Sequence, residues 1–462
     1  MIFDVLYGFI PITEWEEQII NSPFFQRLRW IKQLGLSSYI FPGAEHNRFA
    51  HAIGVMHSME QMLKSLDLAV PENKLQNPRT TNEATMFHKC LRIAALLHDI
   101  GTFPFSHATE SAYIRHGNDI RRARKKTKPL PNNHEHLGSF IIKNTAYPGG
   151  ITKILNDYKL DVQLISKIIK GDSKYLIANQ LMHSDLDADR MDYLLRDAHY
   201  TGLKYGQFDR DYILSNLCTF KIGQKQLGFG IRESATHAVE DFLIARFSWY
   251  RQVIKPPGSA KFDIIATHLT QSFLKNDIIH QFQDLLGMIE KKDERFFWWN
   301  DSYFIQKCQE VRYQNLIKDP KVYELTEMLL YRRPPKTLNH PSFKNRLLQG
   351  KQKNKSFYIS HFSKTAKSMQ NTLDKYGKGK EWLLIDVPEK DVVFTTKVNT
   401  KFKNNPCKQR DPIKIVSKKG TPSLLIKRED TLMKHLSGFT NFTPSVFAND
   451  SAIRLLKKHK KI

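Results

Sequence analysis

Cysteine is scarce in this chain: Cys90, Cys218, Cys308 and Cys407 are the only four among 462 residues, and no two form a Cys-x-x-Cys pair. Neither a disulfide framework nor a thiolate zinc site is expected, and the four read as reduced thiols. No apolar run approaches the roughly 20 residues that a membrane span needs. The opening MIFDVLYGFIPITEWEEQII carries acidic residues and a proline where a secretory signal needs a basic start and an unbroken apolar core. The expectation is a cytoplasmic chain, nuclear if its source is eukaryotic, with no membrane partner. Repeats, heptads and low-complexity tracts are also missing, which leaves out solenoids and coiled coils.

Acidic residues are in short supply, 46 Asp and Glu against 71 Lys and Arg, for a net charge of +25. An excess of that size attracts polyanions through the summed surface field. A phosphate-rich partner is expected, either a nucleotide or a nucleic acid held on the basic surface. Charge alone does not separate the two, and lysines that merely solvate a surface give the same count. Apolar content is ordinary, 41% hydrophobic and 11% aromatic, enough for a large core.

The periodicity is helical over the first half. Residues 13–40 place apolar side chains at helical spacing between turn signals at Ser22-Pro23 and Gly35. The stretch 45–66 reads as a helix with Phe49, Ile53, Met56 and Met59 on one face and His51 near its start. The run FHKCLRIAALLHD is stopped by Gly101 and Pro104, so His98 and Asp99 fall at a helix end. A basic connection, RRARKKTKPLP, leads to a helix at HEHLGSFIIKN, and QLMHSDLDADRMDYLLRDAHY is the next strongly patterned segment. Beyond about residue 275 the pattern weakens into a Lys- and Asn-rich tract and short strand-like runs, WLLIDV, VVFTTKV, PIKIVS and SLLIK. The expected fold is mainly α, a helical core over 1–275 with a smaller C-terminal α+β lobe over 276–462, regulatory or used in oligomerisation.

His51, the adjacent His98-Asp99 and Asp189 form an ordered H…HD…D set. Two imidazoles with two carboxylates suit one divalent transition metal, Mn, Fe or Zn, with Mg accompanying substrate phosphates. A lone His-Asp dipeptide carries no weight, because it recurs by chance. A calcium loop starting at Asp185 fails, since Arg190 and Arg196 stand where glycine and an acidic residue are needed. Asp189, Tyr193 and Asp197 instead fall at i, i+4 and i+8 of a helix.

The segments NRFAHAIGV, LLHDIGTFPFSH and LDADRMDYLLRD, in this order, resemble the signature segments of the HD-domain deoxynucleoside triphosphate triphosphohydrolases. The resemblance covers residues 1 to about 250 and implies a helical HD core acting on dNTPs, releasing deoxynucleoside and inorganic triphosphate. It implies catalytic roles for His107, His134 and Glu110, a phosphate contact for Arg48, and hydrogen bonds from Gln33 and Asp197 to the sugar 3′-hydroxyl. It also implies that the Tyr193 ring lies against C2′ and disfavours ribose. Lys32, Arg190, Arg246, Arg251 and Lys255 are further phosphate contacts on offer, with plain solvation as the alternative for each. Assembly as a homo-dimer or homo-tetramer is implied, as is a nucleotide activator, for which Gln26 and Arg29 match family contacts.

Two departures from the family pattern bear on substrate. Thr102 stands where close relatives have a catalytic histidine, and Ile254-Lys255-Pro256 replaces a Tyr-His-Lys stretch near the base and phosphates. They keep a second reading open, an HD-type nuclease, phosphodiesterase or hydrolase of another modified or signalling nucleotide. A third reading is a non-catalytic nucleotide or nucleic-acid binder.

Overall fold

The computed structural model describes every residue except 77–81, 126–128, 225, 255, 350–351, 388–391, 397–398, 400 and 402–405. Lys255 therefore lies outside the described residues, as do parts of the basic connection and of the strand-like run VVFTTKV. The chain is mainly helical, with a C-terminal α+β portion.

The central helix is α1 (Arg48–Ser65), started by Asn47, whose side-chain oxygen accepts from the Ala50 amide at 3.1 Å. It is buried almost all round, with Ala52, Val55, Met56, Met59 and Leu63 all inaccessible, and not on one face as its periodicity implies. Helices α2 (Glu83–Leu97) and α5 (Ala188–Thr201) sandwich it. Each fully buried aliphatic in this layer contributes about 1.5–3 kcal/mol. Gly54 sets the spacing of α1 and α5: a Cβ there would sit 2.0 Å from Asp192 Oδ1 and 2.3 Å from an Arg196 nitrogen. Only glycine allows this approach.

Helices α3 (His107–Ala123) and α4 (His134–Asn144) follow on the other side of the His98-Asp99 turn. Gly101 lets that turn touch the start of α4, because a Cβ would lie 2.3 Å from both the Gly138 nitrogen and the His134 carbonyl oxygen. Helix α6 spans Thr236–Trp249, and α7 (Pro257–Lys275) packs along α3. The core continues past residue 275, since Phe282 and Trp299 pack on Phe103, and Phe304 packs on Phe105.

Residues 217–232 form a hairpin, β1 (Leu217–Ile222) with β2 (Gln226–Arg232), that the sequence pattern had not marked. Strand β3 (Lys414–Val416) adds to β2 in parallel, pairing Ile415 with Ile231, and β4 (Pro422–Leu424) closes the sheet in the order β4-β3-β2-β1. The C-terminal portion is thus stitched to the helical core. A buried strut reinforces the seam, in which Asp185 accepts from Thr395, Thr396 and Arg246, while Arg246 also reaches the Phe394 carbonyl. Of the expected strands, Leu383–Asp386 and Lys414–Val416 form, SLLIK is a strand only over Pro422–Leu424, and VVFTTKV is a strand over Val392–Val393 and leaves it at Phe394–Thr396. The Lys- and Asn-rich tract, where the sequence pattern weakens, holds helices, including α8 (Gln352–Tyr376), against which the last helix, α9 (Asp450–Lys458), packs.

Candidate active site

Three helices deliver the expected metal set to one point. His51 is in the first turn of α1, His98 caps α2, and Asp189 is in the first turn of α5. His51 Nε2 lies 3.0 Å from Asp189 Oδ1 and 3.7 Å from Asp99 Oδ2, and His98 Nε2 lies 3.4 Å from Asp99 Oδ2 and 3.8 Å from Asp189 Oδ1. Both Nδ1 atoms are already committed, His51 to Asp192 Oδ2 at 2.8 Å and His98 to the Ala95 carbonyl at 2.8 Å. In the neutral imidazoles that leaves each Nε2 as the lone pair, buried and without a hydrogen-bond partner. The His51 to Asp189 approach is close but is not aligned as a hydrogen bond.

Two imidazole lone pairs facing two carboxylates call for a cation. Burial pushes the His51 pKa down, but Asp189 and Asp192 outweigh it and hold it up at about 9. Asp189 is held down at about 2, burial opposing and His51 prevailing, and Asp99 lies well below the carboxylate range because Arg48 and His98 overcome its burial. The position is filled by a proton or by a metal ion, and the mixed N/O donor set fits a first-row divalent ion.

Residues that sequence reasoning passed over fix this arrangement. Asp192, fully buried, accepts from His51 and is gripped by Arg196 at 2.8 and 2.9 Å, and Arg196 in turn meets Asp4 at 2.9 Å. The i, i+4 spacing of Asp192 and Arg196 allows the pair, but does not show that it faces His51. Arg27 is buried and donates to the carbonyls of Ile100, Thr102 and Trp299, bracing the His98-Asp99 turn. Asp301 accepts from the Lys32 and Phe105 amides, holding a turn in which Phe105 and Ser106 both take left-handed φ, 51° and 53°. Strain in consecutive non-glycine residues beside a site is characteristic of functional loops.

Arg48 is brought to the metal set and pinned there, donating to Asp99 Oδ2 at 2.6 Å, Ser106 Oγ at 3.2 Å and the Gln33 carbonyl at 3.4 Å. Glu110 joins two imidazoles, His107 Nδ1 at 2.8 Å and His134 Nδ1 at 3.0 Å, and also accepts from the His134 amide at 2.6 Å. His134 Nε2 then points to Asp99 Oδ1, 3.9 Å away. His107, Glu110 and His134 form a second group with metal-ligand spacing. The His107 side chain is 62% exposed and that of Asp189 32%, so the site opens to solvent on this side.

Asp197 and Tyr193 lie along α5 as expected. Asp197 Oδ1 meets His46 Nε2 at 2.7 Å, and the His46 ring stacks on Tyr200; His46 is another residue the motifs did not reveal. The His46 carbonyl accepts from the Gln33 amide, which ties Gln33 to the same cluster. Gln33 Oε1, Asp197 Oδ2 and the Tyr193 hydroxyl are buried without partners, and the Tyr193 ring packs on Trp249 at 4.8 Å. Buried polar atoms are normally satisfied, so three unpaired ones beside the metal set mark a place built for a polar ligand. Thr102 is buried and donates to Asp99 Oδ1 at 3.3 Å.

The other basic candidates that the structure describes each have partners of their own. Lys32 pairs with Glu45, Arg190 bonds Asp187 and the Ser184 carbonyl, Arg246 serves the strut to Asp185, and Arg251 lies over the Phe247 ring. Arg29 bonds Gln26 at 2.7 Å and stacks over Phe49.

Comparison with known proteins matches residues 48–197 to the HD domain. The chain is 35% identical over 270 residues to the uncharacterized protein YwfO of Bacillus subtilis, covering 58% of this chain and 54% of that one. It is 28% identical over 301 residues to human deoxynucleoside triphosphate triphosphohydrolase SAMHD1, covering 60% and 44%. The chain spans about half the length of the relatives it matches. In fold it is similar to a hypothetical protein from Aquifex aeolicus, with a TM-score of 0.67 at 23% identity, covering 100% of this chain and 98% of that one. Residues 48–197, the stretch that matches the HD domain, carry His51, His98, Asp99 and Asp189, and on that basis this chain contains an HD domain.

Proposed function

We propose that this chain is a metal-dependent phosphohydrolase that cleaves deoxynucleoside triphosphates to deoxynucleoside and inorganic triphosphate. The observation that carries the reading is the pair of bare, buried Nε2 atoms of His51 and His98 facing Asp99 and Asp189, beside an arginine and three unpartnered polar atoms. Relatives named as dNTP triphosphohydrolases support the substrate class.

His51, His98, Asp99 and Asp189 would hold one divalent ion, Mn, Fe or Zn, which when bound supplies Lewis acidity toward phosphate oxygens and a more acidic water. Water attacks the α-phosphorus and the bond to O5′ breaks, so O5′ needs a proton. His134 provides it: burial lowers its pKa, but Glu110 and Asp99 hold it up at about 9, so the imidazolium is present at neutral pH. Glu110 orients His134 and His107 together. Arg48, held by Asp99, sets a guanidinium against the phosphates. Gln33 and Asp197 bond the 3′-hydroxyl, and the Tyr193 ring crowds the place of a 2′-hydroxyl. On the same reading the chain assembles as a homo-dimer or homo-tetramer, and a nucleotide activator docks near Gln26 and Arg29.

Thr102 favours a second reading, hydrolysis of another nucleotide or an oligonucleotide, since its hydroxyl donates to Asp99 at the position where the family pattern implies a catalytic histidine. Incubating the protein with each dNTP and rNTP, with and without GTP, in Mn²⁺ or Mg²⁺, separates the two. Deoxynucleoside and triphosphate, absent with Asp189→Ala, are expected. Release of monophosphate or orthophosphate, or turnover of oligonucleotides alone, would overturn the first reading.

A further inference from the structure

The charge excess is not spread over the molecule. Residues 331–462 contain 30 Lys and Arg against 9 Asp and Glu, a net +21 of the chain's +25, while residues 1–330 are nearly balanced. The proposed hydrolytic site lies wholly in the balanced part, so nucleotide hydrolysis leaves this charge without a role.

In the C-terminal portion the charge is ordered along α8. Phe362, Ala366, Met369 and Leu373 recur at helical spacing and bury one face in a small core shared with Ala452 and Leu456 of α9. The opposite stripe begins with Phe357, 64% exposed and stacked with the His361 ring, and runs on through Lys364, Lys367 and Lys375 to Tyr376, 48% exposed. From Phe357 to Lys375 the stripe is about 27 Å long. Lys461 comes alongside from the tail after α9, donating to Ser368 Oγ at 3.2 Å, and the Tyr376 ring is stacked on His459 at 4.1 Å. Lys364, Lys367, Lys375, Lys461 and Tyr376 line an open depression of about 380 Å³. No ion pair found among the described residues joins any of these four lysines to a carboxylate.

Lysines along a shallow track with an aromatic ring at each end, Phe357 and the Tyr376 ring over which Lys375 Nζ lies at 5.1 Å, match the demands of a single strand of nucleic acid, whose phosphates need cations and whose unstacked bases need π-faces. An anionic membrane fits less well, because the apolar faces of α8 and α9 are spent on their shared core and none is left to insert. We propose that the stripe from Phe357 to Tyr376, with Lys461, is a binding track for single-stranded nucleic acid, separate from the hydrolytic site. It works through backbone charge and base stacking and so reads little sequence.

The test uses the full chain with a chelator present, so that hydrolysis is silent, and a dye-labelled 20-nucleotide mixed-sequence single strand followed by anisotropy from 50 to 300 mM salt. Each phosphate contact contributes about 0.7 to the slope of log affinity against log salt. Replacing Lys364, Lys367, Lys375 and Lys461 by Gln lowers that slope by about 3 and weakens binding at least tenfold, while Asp189→Ala leaves it unchanged. Tyr376→Ala weakens binding about fivefold or more without changing the slope. The four replaced side chains are exposed, and an unchanged circular dichroism melt shows that the variant is folded. Equal affinity and slope for wild type and the fourfold variant overturns the proposal. So does tighter binding of a duplex of equal length, of vesicles rich in anionic lipid, or of inorganic triphosphate as competitor at the same phosphate concentration.

Discussion

Replacing Asp192 by Asn tests whether a residue that touches no substrate governs the metal set. Asp192 is fully buried and carries one hydrogen bond from His51 Nδ1 and two from Arg196. Asn keeps the shape, but its NH₂ must face either the imidazole N–H or the guanidinium, and the charge that stabilises both is gone. Arg196 then keeps only Asp4 as a carboxylate partner. Removing one partner of a buried ion pair costs about 3–5 kcal/mol, so the low end of that range is expected for a near-isosteric change. His51 loses the acceptor that fixes its tautomer, and the loss of such a partner weakens metal binding about 10–100-fold. Urea unfolding gives the first number, and competition of Mn²⁺ against a fluorescent chelator gives the second. Wild-type metal affinity in a folded Asp192→Asn protein would refute the claim that His51 is held through Asp192.

Three further outcomes follow from the packing and the charges. Gly54→Ala places a methyl against Asp192 and Arg196, so a loss of about 1–3 kcal/mol is expected, with metal affinity falling in parallel; an unchanged thermal melt and affinity contradicts the contact. His134→Gln removes the proton donor but keeps a polar side chain, lowering kcat about 10²–10⁴-fold with little change in metal content, whereas loss of the metal as well assigns His134 a ligand role. Glu60 is buried, which raises its pKa, but His88 and Arg92 outweigh that and hold it down at about 2. Its contribution is complete above about 4.5 and is lost as pH falls toward 2. Glu60→Gln therefore flattens the decline of Tm between pH 4.5 and 2, and parallel profiles for the two proteins exclude the effect.

The meeting of His51, His98-Asp99 and Asp189 was legible because they stand at the starts and ends of apolar periodic segments, in the order H…HD…D. Their supports were not. Asp192 reads as one more carboxylate in DADRMDY, and which of Arg27 and Arg29 turns inward depends on a fold that brings Trp299 and Thr102 to the same point. His46 and Asp197 are 151 residues apart, and nothing local pairs them. Helix α8 was hidden by composition: its Lys, Asn and Ser residues mask a regular apolar stripe at Phe362, Ala366, Met369 and Leu373. The C-terminal strands are two to four residues long, too short for alternation to show. The β1-β2 hairpin reads poorly because its inward positions include Gly228 and Gly230, which make room for Phe220 and for the β3 backbone.

The most direct measurement is a titration of Mn²⁺ into chelator-stripped protein with dATP as substrate, reading released triphosphate. Activity that rises to a plateau at one ion per chain, and is absent at every metal concentration in His51→Ala and Asp189→Ala, is the result expected. Turnover without metal, or undiminished turnover in either variant, contradicts the assignment of this site.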